Sequence, residues 1–393
     1  MNRQFLKIEV SINMNSQEKR IAIIGAGPGG LTLARILQQG GLAPVIYEQE
    51  TSPAEREQGG TLDLDEQTGQ KALQAAGLLS SFRSICRYEG QALKITDKKG
   101  TVFAETEPEK LTDHGRPEID RTALRRLLLQ SLKPDTIKWG HKLSHAVPLE
   151  KGRHKLEFEN GHTDVFDLII AADGAFSRVR PLLSDAPVEY SGISMIELHI
   201  MNAAADFPDL AGFHGTGSMY ALDDRKAIMA QLNGDGKIRV YLCFAAGRDW
   251  IDENDIDYDQ PEEAKQKLLE LFEDWSDDLK HYIQYAGETI LPRRLYSLPV
   301  QHKWQHKQGV TLIGDAAHLM TPFAGAGANL AMLDAAELGL SILHNADTDK
   351  AVKQYEEKMF AYAEETAAET DSHMKTFFSE SAAQKIGAMM NAF

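Results

Sequence analysis

Ile21-Ala-Ile-Ile-Gly25-Ala-Gly27-Pro-Gly-Gly30, followed by Leu31-Thr-Leu-Ala-Arg-Ile-Leu37 and, past Gly40-Gly41, by Val45-Ile-Tyr47-Glu48, decides the fold. A continuous apolar run ending in Gly reads as a buried parallel strand. Leu31, Leu33, Ala34, Ile36 and Leu37 then recur at helical spacing, and Gly40-Gly41 is a natural stop. Val45–Tyr47 reads as a second strand, so about 28 residues make one β-α-β unit. Gly25, Gly27 and Gly30 match GxGxxG: a tight turn, a close approach to a pyrophosphate, and close helix–strand packing. The phosphates would meet the helix N-terminus, where free N–H groups favour anions. Glu48, eighteen residues past Gly30, is placed to bind a ribose diol. An acid there disfavours a 2′-phosphate but does not separate NAD from FAD.

The 393-residue chain as a whole sets the limits. Its length suggests two to three domains at roughly 150 residues each. With 42 basic and 58 acidic residues the net charge is −16, which argues against a duplex-binding surface or one drawn to anionic lipid. No apolar run reaches the ~18 residues of a membrane span, and the start lacks a signal-peptide pattern. Cys86 and Cys243 have no metal-type spacing and fit a reducing cytoplasm, where the protein is expected. Residues 1–19 are polar and aperiodic, a disordered lead that leaves translation from Met1 or Met14 open.

Two further motifs follow strands. Asp167-Leu-Ile-Ile-Ala-Ala-Asp173-Gly174-Ala-Phe-Ser177-Arg178-Val-Arg180 is a strand ending in Asp-Gly with basic residues beyond. Val310–Ile313 leads into Gly314-Asp315-Ala-Ala-His318, then through Pro322-Phe-Ala-Gly325-Ala-Gly327 into a helix from about 326 to 343. Such a junction can put a carboxylate on a ribityl hydroxyl and helix N–H groups near an electron-rich ring. Between about 185 and 250 the segments Ile196–Met201, Ala227–Leu232 and Ile238–Phe244 are short, and the last two flank the turn Asn233-Gly-Asp-Gly236. They predict an inserted antiparallel sheet. Val352, Tyr355, Met359 and Tyr362 lie on one face of a long helix within Asp347–Ser379.

In their order and spacing the three glycine motifs resemble the class A flavoprotein monooxygenases, the family of para-hydroxybenzoate hydroxylase, from Ile21 to about Leu343. Within it, Gly59-Gly-Thr-Leu-Asp63-Leu, Pro117-Glu-Ile-Asp-Arg121, Asp274-Trp-Ser and Gly314–Gly325 are similar to the tetracycline-inactivating enzymes. The resemblance implies an α/β fold: a Rossmann-like FAD-binding domain, an inserted antiparallel β-sheet substrate domain and a long C-terminal helix. The expected division is 20–75, 100–182 and 285–345 for FAD, 76–99 and 183–284 for substrate, and 346–393 for a bridging helix. It further implies FAD as cofactor, NADPH or NADH and O₂ as co-substrates, an aromatic or polycyclic substrate, a flavin C4a-hydroperoxide as oxidant, and a monomer.

Residue by residue, the resemblance gives Glu48 to the adenosine ribose and Asp63, Arg121 and Asp315 to FAD, with Pro322, Gly325 and Gly327 as the wall beside the flavin. Arg56 would handle the nicotinamide cofactor. Phe323, Glu197, Ser218 and Arg239 are candidate substrate contacts; the last three stand where the tetracycline enzymes carry Gln, Arg and His, and Gly325-Ala-Gly327 has Ala in place of a middle Gln.

Blander readings stand beside these. Arg121 could be a helix-face charge, Asp63 the polar face of a strand, Arg56 part of a solvated turn, and the glycine loop mere packing. His141/His145 and His302/His306 have i, i+4 spacing but no third metal ligand nearby. An NAD-dependent dehydrogenase would explain Gly25–Glu48 alone; a flavin halogenase would need a Trp-x-Trp-x-Ile-Pro motif that the tryptophans do not form. A flavin- or ligand-binding protein without turnover is the third alternative.

Overall fold

A computed structural model describes residues 19–55, 59–106 and 114–391. The expected mobile lead, the nicotinamide candidate Arg56 and the terminal Phe393 lie outside the described residues, apart from Lys19 at the end of the lead. The opening motif forms the middle of a five-stranded parallel sheet. Its order is Val310–Leu312, Leu168–Ala171, Ile21–Ile24, Val45–Tyr47, Ile137–Lys138. Every residue of Ile21–Ile24 and Leu168–Ala171 is buried, which is why both read as unbroken apolar runs.

The helix Pro28–Gln39 has no side-chain cap. What holds it is its apolar face: Leu31, Leu33, Ile36 and Leu37 are all withdrawn from water, at about 1.5–3 kcal/mol for each side chain. It crosses the helix Gly327–His344 at close range. A Cβ on Gly339 would lie 2.9 Å from Ile36 Cγ2.

The second layer is a seven-stranded sheet ordered Ile290–Ser297, Glu189–Ile200, Ile238–Ala245, Lys226–Leu232, Ser218–Asp223, Leu93–Thr96, Val102–Glu105. All neighbours are antiparallel except Ser218–Asp223 with Leu93–Thr96. Period-two alternation splits its residues. Ile196, Leu198, Ile228, Val240 and Leu242 face a core completed by Leu268, Phe272, Leu279 and Tyr282. Met195, Tyr220, Met229, Tyr241 and Cys243 belong to a different cluster on the opposite face, together with Phe323, Phe377 and Phe378.

Several expected boundaries move. Val102–Glu105 joins the large sheet, because Asp97 Oδ1 accepts the N–H groups of Lys99 and Thr101 and turns the chain back onto Leu93–Thr96. Ile290–Ser297 joins it too, as an edge strand that tolerates Pro292; its Pro-Arg-Arg sequence carries no alternating signal. Leu78 and Phe82, expected in the substrate part, lie in the core of the parallel sheet. The C-terminal helix is two helices, Thr348–Phe377 and Ala382–Met390, broken where Ser381 adopts φ +55°. Val352, Tyr355 and Met359 are buried in the parallel-sheet core, whereas Phe377 packs at the large sheet. No helix among the described residues is long and apolar enough to cross a membrane.

Candidate functional site

The ends of three of the five parallel strands, Ile21–Ile24, Leu168–Ala171 and Val310–Leu312, lead into one corner. Gly25 has φ +106°, and a Cβ there would lie 2.3 Å from the carbonyl oxygen of Ala172. A Cβ on Gly30 would lie 2.2 Å from the Gly25 carbonyl oxygen. Both glycines are therefore packing requirements. Gly27 differs: its Cβ would meet nothing within 4 Å. It opens onto free space directly before an uncapped helix start, whose first N–H groups no side chain satisfies. That cradle fits a pyrophosphate. Glu48 is buried beside it, Oε2 accepting the Ala26 N–H at 2.6 Å and Oε1 the Glu50 N–H at 3.0 Å.

Asp173, two residues past the strand Leu168–Ala171, accepts the Arg178 N–H at 2.8 Å through Oδ2, while its buried Oδ1 has no partner among the described residues. Burial pushes this carboxyl above its ordinary range. The Arg180 guanidinium, itself buried, donates to the carbonyls of Ala175 (2.6 Å) and Ala316 (3.1 Å) and so ties this loop to the Gly314-Asp315 turn. Gly314 has φ +61° and lets the chain turn into Asp315–His318. Burial raises the Asp315 carboxyl, with His318, Arg121 and Arg180 pulling it back. A Cβ on Gly327 would lie 3.8 Å from its Oδ1.

Arg121 is the exposed first residue of the helix Arg121–Ser131. Its side chain lies over Gly59, 3.1 Å from where a Cβ would stand, and its charge reaches Asp315 and Tyr241. Asp63, at the end of the strand Thr61–Asp63, pairs with Arg116 at 2.7 Å, and Gly325, at φ +63°, sits against it. Burial raises this carboxyl despite Arg116. Pro322–Ala324 is a single 3-10 turn, and Phe323 is buried against Phe377 and Phe378 at 5.6 and 5.4 Å between ring centroids.

The other candidates lie on the large sheet. Glu197 and Arg239 are both buried and bonded to each other, Nη1 to Oε1 at 2.6 Å. His199 Nε2 stands 3.0 Å from the same oxygen, and Arg293 Nε donates to Oε2 at 2.9 Å. Burial works against the charge of Glu197, yet the His199 hydrogen bond and the two guanidiniums hold its carboxyl at about 2. A ligand would thus meet Glu197 already neutralised. Ser218 is buried at the start of its strand and donates its N–H to Ala92 O at 2.8 Å. The sheet touches this corner at Gly60, whose Cβ would lie 3.0–3.1 Å from Tyr241 Oη, Arg239 Cδ and Gln231 Oε1.

Several contributors escape a sequence reading. Asn329 clips three segments: Oδ1 accepts from the N–H groups of Asp65 and Gly69 and from Thr68 Oγ1, and Nδ2 donates to Asp63 O and Gly325 O. Its only signal is an Asn two residues past Gly327. Glu118, buried and hydrogen-bonded to Thr61 Oγ1, faces Asp63 across the two-stranded sheet, and burial pushes its carboxyl up to about 7. The histidine pairs are spoken for: His302 bonds Ala317 O and Ser184 Oγ, and His306 bonds Glu356 and Asp349. His145 lies on a strand, so no helix face joins it to His141.

Residues 18–370 match the family described as "FAD binding domain", and the chain belongs to it. The chain is 30% identical to "Monooxygenase asqM" of Emericella nidulans over 444 residues, covering 96% of this chain and 99% of that one. The solved structure of Klebsiella pneumoniae HpxO with FAD and uric acid matches with a TM-score of 0.80 at 20% identity, over 97% of this chain and 95% of that one. The tetracycline destructase Tet(55) matches with a TM-score of 0.73 at 20% identity, over 95% of both chains. At those identities the two structures speak for the fold alone. The protein is an FAD-dependent monooxygenase of the hydroxylase class.

Proposed function

We propose that the protein hydroxylates a small aromatic or polycyclic molecule held between the Gly314–Gly327 corner and the inward face of the seven-stranded sheet, with NADPH or NADH and O₂ as co-substrates. The contact of Gly60 with Gln231, Arg239 and Tyr241 carries this reading, since it sets a polar sheet face directly against the cofactor corner. FAD, when bound, supplies the redox chemistry with nicotinamide and oxygen. The chain's own residues bind and orient. Gly27 and the helix start receive the pyrophosphate, Glu48 the ribose, and Asp315 with Asp63 and Arg121 the remainder of the cofactor. Phe323, walled by Phe377 and Phe378, excludes water on the substrate side. Arg56, beyond the described residues, is the candidate for steering the nicotinamide.

On the sheet, Arg293 is the group best placed to meet a substrate oxygen: its side chain is half exposed while Glu197 and Arg239 are buried. Two guanidiniums share one carboxylate there, which leaves the cluster with surplus positive charge and favours a substrate with acidic oxygens. Tetracyclines are one such class, supported by the motifs at Gly59–Leu64 and Gly314–Gly325 and opposed by the different residues at 197, 218 and 239.

The purified protein should be yellow, and NADPH or NADH oxidation should accelerate when the right phenol or polycycle from a panel is added. Flavin that no ligand helps to turn over would instead point to a binding protein. A monomer is expected by light scattering.

A further inference from the structure

We propose that Asp334, with His318 and Tyr362, is a positioning clamp that holds the Gly314–Asp315 turn in the shape FAD requires. Asp334 lies on the helix Gly327–His344 and is completely buried. Three donors from two segments, the Gly314–His318 turn and the long C-terminal helix, meet its carboxylate. Oδ2 accepts the Gly314 N–H at 2.7 Å and faces His318 Nε2 at 2.7 Å; Oδ1 accepts the Tyr362 hydroxyl of the long C-terminal helix at 2.5 Å. The same helix also crowds Gly314, since a Cβ there would lie 2.8 Å from Ala331 Cβ. The residue thus fixed by its backbone is the one immediately before Asp315.

A charge on a buried carboxylate needs a partner, and His318 is the titratable side chain bonded to Asp334 that can supply it. Burial alone would lower the imidazole, but Asp334 more than offsets this and Asp315 adds to it, so His318 titrates above its ordinary value. Its Nδ1 is buried without a partner among the described residues, so Asp334 is the side chain that orients the ring. The charged and titratable neighbours are Asp315 on the same short helix, Asp334, Tyr362 and Tyr355 from the packed helices, His302 from the preceding loop, and Arg180 beyond Asp315. Both tyrosines are raised well out of the neutral range. His302 is lowered by burial, and Arg180 keeps its proton at any pH in question.

Deprotonating His318 removes the cation that balances Asp334 and Asp315, which loosens the turn. The sign follows. FAD affinity is full below the His318 titration and falls as pH rises through it. Ionisation of Asp315 or Asp173 acts oppositely, by creating acceptors for the cofactor as pH rises. This inference rests on FAD as the cofactor, and the readout is binding, so turnover need not be known.

The test is fluorescence titration of FAD into the apoprotein from pH 6 to 9, with thermal unfolding of the same apoprotein alongside. The wild type should show a dissociation constant that rises with pH through one inflection. In His318→Gln, which keeps a donor but cannot titrate, the rise of the dissociation constant with pH should be gone. Tyr362→Phe removes one hydrogen bond to a charged group and should weaken FAD about tenfold. It should leave the inflection in place and lower the pH 6 melting temperature by only a few degrees, since the apoprotein loses the same hydrogen bond. A loss of affinity with rising pH that survives in His318→Gln would overturn the proposal. So would Tyr362→Phe lowering stability while leaving FAD affinity untouched.

Discussion

The nucleotide corner and the inward face of the large sheet solve the same problem, holding charge in a buried place, by opposite means. In the corner, carboxylates meet main-chain N–H groups: Glu48 those of Ala26 and Glu50, Asp173 that of Arg178, Asp334 that of Gly314. On the sheet, Glu197 is met by side chains alone, from three strands. Backbone donors are set by turns a few residues long, so the corner is specified locally. Side-chain donors depend on which strands become neighbours, so the sheet face is specified by the whole fold.

The largest expected effect breaks the corner itself. In Gly30→Ala the new methyl would strike the Gly25 carbonyl, a backbone atom with nowhere to move. Soluble, FAD-bound protein should be lost. Gly27→Ala places its methyl in free space, so the apoprotein should melt close to wild type while FAD binds weakly. Equal loss of apoprotein stability in both variants would mean that Gly27 is a packing glycine too.

On the sheet the corresponding break is Glu197→Gln, which leaves the buried Arg239 without its carboxylate. Removing one partner of a buried pair costs about 3–5 kcal/mol, readable as a shift in the urea midpoint. Pairing it with Arg239→Met should recover a good part of that loss, because the desolvated charge goes as well. Failure to recover would show that Arg293 and His199 keep the charge balance on their own.

The pH dependence sharpens the contrast through Glu197 and Glu118. Glu197 is held at about 2, so its contribution is complete above its unfolded value near 4.5 and is lost as pH falls toward 2. Glu118, pushed up to about 7, behaves oppositely. The folded state binds the extra proton between about 4.5 and 7, so stability declines across that interval and levels off above it. Chemical denaturation of Glu118→Gln at several pH values should lack the decline near neutrality. Its acid limb should match wild type.

Legibility in the sequence follows the same division. Gly25, Gly30 and Glu48 could be read because strand, turn, helix and strand lie within one short stretch, and each glycine has a steric reason visible in its spacing. The short strands Lys226–Leu232 and Ile238–Ala245 could be read from alternation around a turn. Ile290–Ser297 could not, since an exposed edge strand carries no apolar face to announce it. Nor could the Glu197–His199–Arg239–Arg293 cluster. The first two share a face by period two, but Arg239 and Arg293 arrive through pairings 42 and 96 residues away. Asn329 and Asp334 were hidden for another reason: on a helix they look like ordinary polar positions, and only the neighbouring loops show what they bind.

The smallest expected effect belongs to Arg116, where corner and sheet meet. Its pair with Asp63 is partly exposed on both sides, and such pairs contribute about 0–1 kcal/mol. The geometry of Asp63 does not depend on it, because Asn329 holds the Asp63 carbonyl and the backbone is paired with Glu118. Arg116→Ala should therefore leave the melting temperature within a degree or two of wild type, given that ~1 kcal/mol moves a large domain by only a few degrees. What should change is charge. Burial already raises the Asp63 carboxyl and Glu118 lies opposite, so losing the guanidinium lets Asp63 hold its proton to higher pH. A neutral Asp63 accepts hydrogen bonds poorly, so FAD affinity in Arg116→Ala should drop on the acid side while matching wild type on the alkaline side. A uniform drop across the pH range would instead make Arg116 a direct contact of the cofactor, and the boundary between the two regions would have to be redrawn through it.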